Sequence, residues 1–159
     1  MSNLTVRALR VVLAAMFVGM LLGQVVALPW LAHVTAVDFP EVAYIKVPML
    51  VVAILTVACG QAFVVCVWRL LELVQRDSIF SERAFTWVDR MIAAITAACA
   101  LVLGVFVYMT FVLQWQQPGL ALVELASVVG GLSLVLLLVV MRGLLRKATT
   151  LQTDMAEVI

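Results

Sequence analysis

Few residues in this chain can do chemistry, and their spacing argues against most kinds of it. His33 is the one histidine, and Cys59, Cys66 and Cys99 are the three cysteines. Cys59 and Cys66 stand seven apart, on one face of a helix, with no Cys-x-x-Cys. That suits small buried apolar side chains better than a zinc or redox pair. A lone histidine cannot supply bis-histidine haem ligation. Asp38, Glu41 and His33 could meet a cation weakly, but a metal centre needs three or four convergent ligands. Neither GxxxxGK[ST] nor GxGxxG occurs, so no loop is built to cradle a phosphate. We assign no catalytic, cofactor-binding or metal-binding residue and expect no cofactor and no enzyme.

The elements that carry these residues are set by hydrophobicity. The chain has 159 residues, 66% hydrophobic and 12% charged, with mean hydropathy +1.22. Soluble domains use about twice that share of charge to cover their surface. No acidic or basic residue occurs between Arg10 and Asp38, Lys46 and Arg69, Arg90 and Glu124, or Glu124 and Arg142. Each gap approaches or exceeds the roughly 20 residues that cross about 30 Å of hydrocarbon. This predicts one all-α membrane domain over 1–159, a polytopic bundle of four transmembrane helices. The spans are placed at 8–31, 48–70, 90–114 and 122–142, with a loop at 71–89 and a tail at 143–159. The first apolar run exceeds the 7–15 residues of a signal peptide, so we read it as an uncleaved span.

Nine of the ten basic residues fall on one side of such a bundle, and only Lys46 falls on the other. Basic residues near a span stay cytoplasmic, which predicts both termini inside a bacterial cytoplasmic membrane. Trp30, Trp115, Trp68 and Trp87 then fall near span ends, as an interfacial belt would. Outside, Pro40 and Pro48 discourage a helix through the first loop, and Pro118-Gly119 reads as a tight turn. The net charge of +1 favours no direct contact with nucleic acid.

The inner loop is the most informative polar segment. Glu72 and Arg76 suit a helix-surface pair, extending the second span past the membrane. Ser81 reads as the N-cap of the next helix, with Phe80 and Phe85 as its hydrophobic staple and Glu82 in its first turn. Arg69, Arg76, Arg83 and Arg90 recur every seven residues, but the turn at 78–81 keeps them off one continuous helix. With Arg142, Arg146 and Lys147 they form the candidate contact surface for lipid headgroups or a partner protein. In the tail, Leu144, Ala148, Leu151, Met155 and Val158 make one apolar stripe. It would lie on the membrane or against the central loop, or dock a soluble partner.

Within the spans, Gly19/Gly23, Ala93/Ala97, Ala94/Ala98, Ala100/Gly104, Ala126/Gly130 and Ser127/Gly131 are small residues at helix-packing spacing, fit for a compact bundle or a homo-oligomer. No charged residue is placed within the hydrocarbon, which weighs against an ion pathway. Gln24 and Gln61 are the buried polar residues, expected to hydrogen-bond between helices, to backbone or Thr.

The inner loop Val74-Gln75-Arg76-Asp77-Ser78-Ile79-Phe80-Ser81, the basic end Arg142-Gly143-Leu144-Leu145-Arg146-Lys147 and the tail Leu151-Gln152-Thr153-Asp154 resemble a bacterial membrane family known as domain of unknown function 2975. That family shares four spans and an inner loop of the form Leu-x-x-(acidic/Gly)-x-(Ile/Pro)-Phe-(Ser/Thr), and the likeness covers nearly the whole chain. The tail departs from the family's usual short ending. The resemblance implies no established activity. Some members accompany a small helix-turn-helix regulator, which implies a membrane partner for a soluble protein. A non-enzymatic sensor, regulatory or accessory protein with a cytoplasmic partner is the expected role, and a small oligomeric transporter or transporter subunit the alternative.

Overall fold

The computed structural model describes residues 3–38, 40–75, 82–114 and 118–157. Among them the regular structure is helical: α1 (Asn3–Leu22), α2 (Leu28–Asp38), α3 (Lys46–Gln75), α4 (Glu82–Val107) and α5 (Pro118–Glu157). A π-helical stretch, Gly23–Ala27, joins α1 to α2, and a second, Tyr108–Val112, extends α4. Four stretches are long and apolar enough to cross a membrane: Val6–Asp38, Ala43–Gln75, Ala84–Val112 and Gly119–Ala148. These four apolar helices give the chain the build of a multi-pass membrane protein. The spans alternate in direction, so α1 begins, α3 ends, α4 begins and α5 ends at a single basic end.

The helices run further than the charge-free stretches that betray them. Hydrocarbon limits how many apolar residues are needed, whereas backbone hydrogen bonding can continue past a charged side chain. The first span reaches Asp38 and a 3-10 turn, Pro40–Ile45, leads directly into α3, so the expected open loop is largely helical. Pro48 falls in the first turn of α3, where its missing N–H has no intrahelical partner to lose. Pro118 and Gly119 open α5 instead of forming a turn, which is the usual place for a proline at the start of a helix. Gln114, with φ 52°, takes the left-handed conformation that ends the third span.

The π-helical stretch in the first span has a local cause. Pro29 lacks an N–H, and its ring presses on the carbonyl four residues back, that of Val25. Just before it, the Leu28 N–H closes a wide turn on the Gly23 carbonyl, and this extra room accommodates the ring.

Packing is uneven along the bundle. Val6, Leu13, Val64, Cys66, Leu71, Ala84, Val88 and Met91 are buried and lie in the basic half; Ile45 is the buried apolar residue of the opposite half among those described. Phe17, Met20, Val67 and Trp68 are partly buried and pack on the cluster of Val6, Leu13, Val64 and Leu71. The first span packs on α3, α3 on α4, and α4 on α5. The first and fourth spans share no comparable interface. Buried apolar side chains are therefore concentrated at the basic end, and the first and fourth spans stand apart across a cavity at the other.

Small residues serve this packing at fewer places than their spacing predicts. A side chain added at Gly131 would overlap Cys99 Sγ, and one at Gly60 would touch Met20. Gly19, Gly23, Gly104 and Gly130 have nothing within 4 Å of an added side chain among the described residues, so the first-span GxxxG makes no contact there within this bundle.

Candidate functional site

Two regions concentrate what polar chemistry the fold offers: the basic end, and a cleft at the opposite end. At the basic end the helix termini bring scattered cations beside acceptors. Arg10 donates to Gln75 Oε1, tying α1 to α3. Arg142 Nη2 lies 3.0 Å from Asp89 Oδ2, tying α5 to α4. Arg69 pairs with Glu72 at 3.1 Å within α3, so Glu72 serves Arg69; Arg76, its expected partner, lies outside the described residues. Arg90 places its guanidinium 4.5 Å from the centre of the Trp87 ring, close enough for a cation–π contact.

The predicted surface residues are thus only partly gathered. Arg69 and Arg90 stand on antiparallel α3 and α4, so the seven-residue repeat forms no single stripe. Arg83 falls in the first turn of α4, and Arg146 and Lys147 are exposed on α5. Phe80 and Ser81 lie outside the described residues, with the proposed cap and staple, although α4 does begin at Glu82. Sequence reasoning missed Asp89 and Gln75 as acceptors. Each stands next to an arginine in the sequence, but its partner is on another helix, and spacing alone carries no sign of that.

The tail continues α5 without a break to Glu157. The 15 residues after Arg142 add about 22 Å of helix at 1.5 Å per residue. A continuous rod cannot both span the bilayer and lie flat on it, so the tail projects. Leu145, and not Leu144, faces inward at its root, into a small gap lined by Leu70, Leu73, Val74, Ala84, Phe85 and Val88. The rest of the expected stripe that can be described, Leu144 and Ala148, is exposed.

The cleft is a cavity of about 530 Å³. Leu28, Leu31 and Ala32 of the first span line one side and Leu120, Val123 and Ser127 of the fourth line the other, over a floor from α3 and α4. Its hydroxyls are committed to their own helices: Thr35 donates to the Leu31 carbonyl at 2.9 Å, Thr56 to Val52 at 2.9 Å and Ser127 to Val123 at 2.7 Å. Two charged groups line it, Lys46 and Glu124. Both belong to stretches long and apolar enough to cross a membrane, Glu124 within the span expected at 122–142 and Lys46 just before the one expected at 48–70. Lys46 Nζ is 3.5 Å from His33 Nδ1. Beside the cleft, Gln24 Nε2 donates to the Ile54 carbonyl at 3.1 Å, the expected bond between helices. The Gln61 amide nitrogen is buried without a partner among the described residues, contrary to the same expectation. No group of three or more metal-ligating side chains occurs among the described residues.

A family model described as Protein of unknown function (DUF2975) matches residues 30–159. The chain belongs to that family. The DUF2975 match excludes most of the first span, so the likeness is less complete than the sequence motifs implied. It includes the whole tail through Ile159. No curated protein and no solved structure matches the chain.

Proposed function

We propose that this chain is a non-enzymatic, multi-pass protein of the bacterial cytoplasmic membrane, with both ends cytoplasmic, whose basic end holds a soluble regulator protein. The observation that carries this reading is the α5 tail. It is a rigid rod anchored at its root by Arg142–Asp89 and Leu145, and it carries Leu144 and Ala148 outward. An amphipathic helix presented this way is one half of a helix-in-groove contact. Surrounding cations, Arg69, Arg90, Arg146 and Lys147, add headgroup contacts and charge selection. The glycine face at Gly19 and Gly23 is open to a second copy, which supports a homo-oligomer in the same membrane.

A photo-crosslinking residue placed at Leu144 or Ala148 in cells tests this. The expected product is a defined adduct with one soluble protein, lost when Leu151 and Met155 are changed to Asp. Adducts with lipid alone would refute the reading.

The transporter alternative has one observation in its favour, the cavity with its two charged groups. The packed cluster of Val6, Leu13, Val64 and Leu71 closes the opposite half, so a transport cycle would have to open that core. Absence of ion or solute flux in liposomes removes this alternative.

A further inference from the structure

The cleft at the end opposite the basic one is shaped and charged for a particular occupant. We propose that it holds one phospholipid with a primary ammonium headgroup, its acyl chain between the first and fourth spans, its ammonium on Glu124 and its phosphate on Lys46. The inference concerns a different end of the molecule from the proposed partner surface and stands independently of it.

Four observations lead to it. First, the cavity is bounded at its sides by spans that do not pack on each other, and Leu31, Leu120 and Val123 of those spans are exposed. It therefore opens sideways, toward hydrocarbon. Second, its walls are apolar apart from hydroxyls already bonded to their own helices. Such a space does not hold ordered water well, and its 530 Å³ is in the range of ligand pockets. From Lys46 to Val57 the lined part of α3 is about 16 Å long at 1.5 Å per residue, which suits an extended chain.

Third, the two charges that line the cavity are of opposite sign and do not pair with each other within 4.0 Å. Glu124 has no hydrogen-bond or ion-pair partner among the described residues. Glu124 lies six residues into α5, about 9 Å from its start, and side chains on a helix tilt toward its N-terminus. Its carboxylate can thus reach back toward headgroup level. A purely cationic amphiphile would meet Lys46, and a purely anionic one Glu124. A zwitterion satisfies both. Fourth, no aromatic side chain lines the cavity among the described residues. Quaternary ammonium groups are held by aromatic cages, whereas a primary ammonium can donate hydrogen bonds to a bare carboxylate.

The test uses the full chain, purified, delipidated in detergent and titrated with phosphoethanolamine or phosphocholine lipid of identical acyl chains. Native mass spectrometry counts the lipids retained. The expected result is one phosphoethanolamine lipid per chain, retained roughly tenfold better than its phosphocholine counterpart, the range of a charge-assisted hydrogen bond. Glu124→Gln should erase the preference while leaving phosphocholine retention unchanged, and Ala53→Trp, which fills the floor, should abolish both. Equal retention of the two lipids by the unaltered chain overturns the proposal, whatever the variants do. So does a preference that survives Glu124→Gln, or tighter retention of a single-chain alkylammonium than of the phosphoethanolamine lipid.

Discussion

Neighbouring glycines in α5 should respond to the same substitution with opposite sign. Gly130 faces open space, and a methyl there meets nothing within 4 Å. Gly131 faces α4, and a methyl there would overlap Cys99 Sγ, with Ile95 Cγ2 at 3.7 Å behind it. Both changes to Ala gain the same helix propensity, about 1 kcal/mol at most, so propensity cancels in the comparison. What remains is the overlap, and inserting a methyl into a filled contact costs about 1–3 kcal/mol. Cys99 has only one side-chain torsion with which to withdraw, so little of that cost can be relieved. Gly131→Ala should therefore be less stable than Gly130→Ala by about 1–3 kcal/mol. Removing the sulfur should reverse this: Cys99→Ala costs stability in the unaltered chain, where it leaves a void, but restores it beside Gly131→Ala. Reversible unfolding in mixed micelles, followed by helical circular dichroism, gives all four corners of the cycle. Equal stability of the two single glycine variants, or no rescue, would refute the close approach of α4 and α5.

Two glutamines and one ion pair give further checks. Gln24→Leu removes a bond between helices and should cost about 0.6 kcal/mol, the mean for such bonds in membranes, measured in the same unfolding assay. Gln61→Leu should be neutral or stabilising there, because it removes a buried amide nitrogen with no partner. The Arg142 and Asp89 side chains are 41% and 46% exposed, so Asp89→Asn should cost less than about 1 kcal/mol and the difference should shrink in high salt. A cost of several kcal/mol would mean the pair is far more enclosed than described.

The four spans were legible because lipid imposes a simple rule, that a run without charge must be long enough to bridge hydrocarbon. Their ends were not. Asp38, Lys46, Glu82 and Arg142 all lie within helices, and a backbone hydrogen bond is indifferent to the charge beyond its own Cβ. Prolines were misread in the same way: Pro48 and Pro118 mark first turns, since a first-turn N–H is free in any helix. Pro29, by contrast, was the one available sign of the π-helical turn beside Gln24. Gln24 showed its need for a partner through its polarity, and it found the Ile54 carbonyl. The cavity left no trace in residue spacing, because it arises where two spans stand apart. Glu124 falls inside the expected span at 122–142, but only a helix that starts at Pro118 sets it six residues from the end and beside the cleft. At the basic end, the arginines were visible, but Asp89, Gln75 and Leu145 acquire meaning only once antiparallel helices set them side by side.

Sidedness is the claim on which the proposed partner surface rests, and reporter fusions measure it most directly. A green fluorescent protein joined after Ile159 should fluoresce, and alkaline phosphatase joined at the same point should be inactive. Alkaline phosphatase joined after Gln114 should be active. Active phosphatase after Ile159, or freely soluble chain in the absence of detergent, would contradict the account.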